Sequence, residues 1–177
     1  IDNTHQQDGY AQYAARAFSG FRTRWAKEFK GEWTYHYAEP FVFYLELSDG
    51  ERENPRTPEQ ITESLQTKSR ILRDLAGFFE ENFRRPWRLE RKYPKNLSAD
   101  EKEKWPLEIV VLMDEERYQA YGESTMGGLP EGARAHYAPQ YRQVITWDDP
   151  NSLTDKRSQW FDRSVIIHEA WHFISGI

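Results

Sequence analysis

A chain of 177 residues with 38% hydrophobic content is long enough for one domain with a sizeable core and too short for two full domains. Its 24 Lys and Arg against 29 Asp and Glu give a net charge of -5, mixed in sign, which excludes the basic field a nucleic-acid partner would need. The absence of cysteine excludes disulfides and thiolate metal sites, so a metal would have to be held by His, Asp or Glu.

The first predicted element is a helix from Tyr10 to Lys30, with Tyr10, Ala14, Ala17, Phe21 and Trp25 at helical spacing and Gly31 as its stop. Glu39 to Leu47 alternates at the period of a strand and is predicted as the first one. Thr57, Pro58 and Gln60 form a helix start with N-cap, N1 proline and capping-box partner. The helix that follows buries Ile61, Leu65, Leu72, Leu75, Phe79 and Phe83 on one face and is expected to end before Pro86.

Arg84 to Trp105 reads as a surface insertion with a solvated basic cluster and one capped turn at Ser98 and Glu101. Leu107 to Met113 is apolar enough for a central strand, and Asp114 caps a short helix through Tyr121. Gly122 to Gly132 reads as a loop, in which Gly127-Gly128 is too short a signal for a phosphate site. Two strands, Ala133 to Tyr137 and Arg142 to Trp147, are predicted around Pro139. Ser152 or Thr154 then caps a final helix running to Ile177. No stretch reaches the roughly 20 apolar residues that span a bilayer, and no signal-peptide pattern precedes the first helix. Both ends, at Ile1 and at Ile177 within an apolar run, read as cut from a longer polypeptide.

The final helix contains His168-Glu169-Ala170-Trp171-His172. The i, i+4 spacing sets both imidazoles on one face, one turn apart, where they can reach a single ion. Glu169 falls about 100° around the helix, where it need not ligate but can serve as a general base toward an activated water. Val165, Ile166, Ile167, Ala170, Phe173 and Ile174 make the helix apolar on nearly every side, so it is expected to be buried. In such surroundings two histidines and a carboxylate would be costly to desolvate unless a metal satisfied them. The competing reading is a pair of hydrogen-bonded core histidines beside a surface or capping carboxylate. His5, His36, His136, Asp148 and Asp149 sit at no recognised ligand spacing and are left unassigned.

The segment VIIHEAWHFI, after the FVFYLEL strand, the helix through ILRDLAGFFEENF, the PLEIVVLMD strand and the YRQVITW strand, resembles the gluzincin-like zincin metallopeptidases. Within them it is similar to uncharacterised bacterial domains of the peptidase MA clan. The resemblance covers roughly Glu39 to Ile177 and implies an α+β fold: a mixed sheet, a long backing helix and a buried C-terminal helix carrying the motif. It implies Zn2+ bound by His168 and His172, Glu169 as catalytic base, a peptide or protein substrate, and an exported, extracytoplasmic setting. It also implies a third ligand, a glutamate on a later helix beyond Ile177, and a strand, Arg142 to Trp147, offering its edge to an extended peptide. The competing reading of that strand is an ordinary structural one with Trp147 packed in the core. Trp171 is bulkier than the residue common before the second histidine in that group. The corresponding organisation is an N-terminal helical extension over residues 1–35 and a zincin-like domain over 36–177, incomplete at its C-terminal side. An alternative function is a non-catalytic zincin-like binding or assembly module, with the aromatic helix from Tyr10 to Phe29 as a docking element.

Overall fold

Three runs that are apolar on both of their faces organise the molecule. In a computed structural model, which describes residues 4–25, 27, 30–38, 40–48, 57–87, 98–99, 105–148 and 156–175, they are the parallel centre of a five-stranded mixed sheet. Taken in chain order the strands are β1 (Glu32–Ala38), β2 (Phe41–Ser48), β3 (Leu107–Leu112), β4 (Ala135–Ala138) and β5 (Gln143–Trp147). Their spatial order is β1-β2-β3-β5-β4, with β2, β3 and β5 parallel and the two edge strands antiparallel to their neighbours. The register places Phe43, Ile109 and Val144 in one row and Tyr44, Val110 and Ile145 in the next, on opposite faces. Because successive side chains alternate, both faces of the centre are apolar and both require helical cover.

Helices α1 (Thr4–Arg24) and α3 (Glu115–Met126) cover one face, and α2 (Pro58–Phe79) and α4 (Lys156–Ser175) the other. On the first face Ala14, Ala17, Phe21 and Trp25 pack with Val42, Tyr44, Tyr118 and Tyr121. The amino-terminal helix is therefore part of the core and not a free docking element, and the break expected after residue 35 falls inside β1. Its expected start at Tyr10 moves to Thr4 and its end to Arg24. On the second face Leu72, Ala76 and Phe79 of α2, with Ile166 and Ala170 of α4, close over Phe43, Ile109 and Val144.

Local signals explain several boundaries. The Thr57 hydroxyl accepts from the Gln60 amide and the Gln60 side chain accepts from the Thr57 amide, a complete capping box. Asp114 accepts from the Arg117 amide at the start of α3, and Gly127, at φ 75°, ends that helix five residues beyond the expected Tyr121. Strand β5 begins at Gln143 and not at Arg142, whose φ of 57° takes it out of extended geometry.

Pro86 does not end the second helix. After Phe79 the backbone widens into a π turn, Glu80–Arg84, and helical residues continue over Arg85–Trp87. A proline removes one amide and its ring crowds the carbonyl four residues back. Here the Arg85 amide reaches the Glu80 carbonyl, five residues back, and this wider turn makes room for the ring. Glu80 holds the turn from its side by pairing with Arg84 and Arg85. Of the surface insertion expected over Arg84 to Trp105, most lies outside the described residues, as do the Glu101 end of its capped turn and the Ser152 and Thr154 caps. Among the described residues no helix is long and apolar enough to cross a membrane.

Candidate metal centre

Helix α4 lies beside α2 on one face of the sheet, and its contacts with α2, β4 and β5 decide what each motif residue does. Ile166 and Ala170, a turn apart, face the sheet and are buried. Trp171, about 100° round from Ala170, turns toward α2 and meets Phe79 and Phe83 edge-on, at ring centroid distances of 5.3 and 5.4 Å. Its bulk is thus taken up between the helices and not beside the histidines. Glu169 lies on the opposite flank, where its Oε2 accepts from the Tyr137 amide of β4 at 2.7 Å.

His168 and His172 project from the remaining surface, the first exposed and the second half-buried. Their Nε2 atoms converge to 3.3 Å, with the rings nearly perpendicular at a centroid distance of 4.9 Å. Two imidazole nitrogens bonded to one tetrahedral zinc at about 2.0–2.1 Å stand about 3.3–3.4 Å apart, so the pair fits two corners of such a site. The same spacing also suits a hydrogen bond from a protonated Nε2 to an unprotonated one. Among the described residues, no group of three or more His, Asp or Glu side chains is placed to share an ion.

The helix is not buried on nearly every side. Ile167 is 37% exposed and His168 lies on the outer surface, because the sheet, α2 and β4 cover three flanks and leave the fourth open. The cost of desolvating the motif residues is accordingly smaller than a helix buried on every side would impose.

The strand beside the motif is also different from the one expected. β5 is interior, paired with β3 on one side and β4 on the other, and the free edge next to α4 belongs to β4. Tyr137 gives its outward amide to Glu169, so one backbone donor of that edge is already engaged.

The unassigned histidines and acids separate into other roles. His36 lies exposed on β1, and Asp148 pairs with Lys68 of α2 and accepts from Ser64 at 3.0 Å. His136 lies under β4, on the face away from α4: its Nδ1 is 2.9 Å from the Tyr118 hydroxyl and its ring stacks on Tyr121 at 5.7 Å. Burial lowers its pKa to about 4, so it is a neutral imidazole. Burial, and next the charge of Glu169, push the Tyr118 hydroxyl up, so it remains protonated. The side chain of His5 and all of Asp149 lie outside the described residues.

No known protein family, characterised protein or solved structure matches this chain. Sequence spacing pointed to the three motif residues, whereas the Tyr137–Glu169 bond and the Tyr118–His136 pair join positions 32 and 18 residues apart. Only the strand pattern around Ala135, with His136 and Tyr137 on opposite faces, carried a hint of them.

Proposed function

We propose that this chain carries the metal-binding and proton-accepting part of a zinc-dependent metallopeptidase of zincin type. The observation that carries the reading is the convergence of the His168 and His172 Nε2 atoms to 3.3 Å on a helix where the first of the three intervening residues, Glu169, is a half-buried carboxylate. His168 and His172 would hold the ion through Nε2. The ion, when bound, would supply Lewis acidity to polarise a scissile carbonyl and an attacking water. Glu169 would accept the proton of that water and deliver it to the leaving amine. Its Oε2 is engaged by the Tyr137 amide, so the proton would move through Oε1. The arrangement of α2 and α4 on one sheet face, with an antiparallel edge strand alongside the motif, supports the same reading. An extended peptide would lie beside β4, the edge nearest Glu169.

The test is elemental analysis for zinc combined with hydrolysis of a mixed peptide pool. His168→Ala is expected to lose the metal. Glu169→Gln is expected to retain zinc but to cut no peptide, and chelator is expected to silence the wild-type protein. Undiminished hydrolysis in Glu169→Gln would refute the assignment of the base.

A second reading rests on the Tyr137 bond. A carboxylate that clips an edge strand to its neighbouring helix has a structural task, which suits a non-catalytic binding module. Such a module would show no hydrolysis with or without chelator, and Glu169→Gln would then alter stability alone.

A further inference from the structure

The underside of β4 holds a group that the proposed chemistry does not use. His136 sits between Tyr118 and Tyr121, and among the described residues its buried Nε2 has no hydrogen-bond partner. A phenyl ring would fill that slot without an orphaned nitrogen. What the imidazole adds is the hydrogen bond between Nδ1 and the Tyr118 hydroxyl. That bond ties a four-residue edge strand, whose two end residues are the small Ala135 and Ala138, to α3. The next residue along, Tyr137, presents its amide on the free edge to Glu169 Oε2. An edge strand has a ladder on one side only, so its height and rotation against α4 depend on what its side chains grip.

We propose that the Tyr118–His136 pair is a positioning device for Glu169. By fixing β4 against α3, it aims the Tyr137 amide at Oε2 and leaves Oε1 as the oxygen directed to chemistry. This rests on the peptidase reading for its functional consequence, while the geometric part stands apart from it. Tyr118 and His136 act through the backbone of Tyr137 and do not touch the reacting atoms.

The experiment uses amide hydrogen exchange resolved at Tyr137, with Ile109 and Val144 of the central strands as internal references, together with kcat and KM for peptide hydrolysis. Tyr118→Phe removes only the hydroxyl. It is expected to speed exchange at Tyr137 about tenfold while the two reference amides keep their rates. It is also expected to lower kcat about tenfold at unchanged KM. His136→Asn, whose amide can occupy the place of Nδ1, made in the protein that keeps Tyr118, is expected to leave both at their wild-type values. Unchanged exchange at Tyr137 in Tyr118→Phe would overturn the proposal, as would equal acceleration at Ile109 and Val144, since the pair would then hold the fold as a whole. An unchanged kcat in an active enzyme would overturn its functional half. Absence of hydrolysis in the wild-type protein would sink the peptidase reading by itself and leave the exchange rates to decide the positioning.

Discussion

Glu46 lies near the end of β2 with no exposed surface, and its carboxylate is held by two partners from beyond β3. Oε1 accepts from Arg117 Nε at 3.0 Å and from Nη2 at 2.6 Å, while Oε2 accepts from the Met113 amide at 3.1 Å. The substitution Arg117→Met keeps the aliphatic stem of that side chain and deletes its charge, leaving a buried carboxylate with one neutral donor. Removing one member of a buried ion pair destabilises by about 3–5 kcal/mol. For a chain of 177 residues each kcal/mol moves Tm by about 2–4 °C, so the expected fall is roughly 6–20 °C. Urea denaturation followed by tryptophan fluorescence, with thermal melting by circular dichroism, measures both quantities. The double variant Glu46→Gln/Arg117→Met is expected to recover at least half of the loss, because the stranded charge is gone. A loss below about 1 kcal/mol in the single variant would put the pair in the class of surface ion pairs and refute the argument.

Glu108 is buried on the α1 face beside Gln143, whose Nε2 donates to it at 2.6 Å, and burial raises its pKa. A carboxyl whose folded pKa lies above its unfolded value adds stability below the unfolded value and loses it as pH rises through the folded value. Glu108→Gln is therefore expected to raise the urea midpoint at about pH 7 and to leave it nearly unchanged at about pH 4, with the new amide also able to donate to Gln143 Oε1, which has no partner among the described residues. Equal midpoint shifts at the two pH values would rule this out. At Gly122 an added Cβ would stand 2.3 Å from Leu129 Cγ, so Gly122→Ala is expected to cost about 1–3 kcal/mol and to be partly rescued by Leu129→Ala in the same denaturation assay. Thr57→Ala removes the acceptor for the Gln60 amide and is expected to cost about 1 kcal/mol, read as a lower urea midpoint; no change there would mean that the box contributes nothing to α2.

The legible parts of the molecule were those set by near neighbours. Thr57 with Gln60, Asp114 before α3 and the apolar run Leu107–Leu112 each carry their signal within a few residues, and each appears where the spacing places it. The mixed sheet with a long helix behind it follows from those elements. β1 is not legible locally, because Trp33, Tyr35 and Tyr37 alternate with polar residues next to a helix stop, and only its pairing with β2 makes it a strand. Pro86 is locally a helix breaker, and only the change of helical pitch before it lets the helix continue. For the site, the i, i+4 rule was enough to bring the two histidine nitrogens together. It could not say which flank of α4 is open, since an apolar helix in sequence does not reveal how many layers cover it. That depends on partners such as Phe79 for Trp171 and Tyr137 for Glu169, both remote in the chain.

The bond between the Tyr137 amide and Glu169 has a bearing on solubility. A sheet edge with an open donor is a template on which a second chain can pair, and folded proteins blunt such edges with charge or with a covering element. In β4 a single carboxylate does both, since it brings a negative charge and occupies the donor. Removing that side chain, as in Glu169→Ala, would free the edge for pairing between molecules. The residue offered as a base would then also be a guard against self-association.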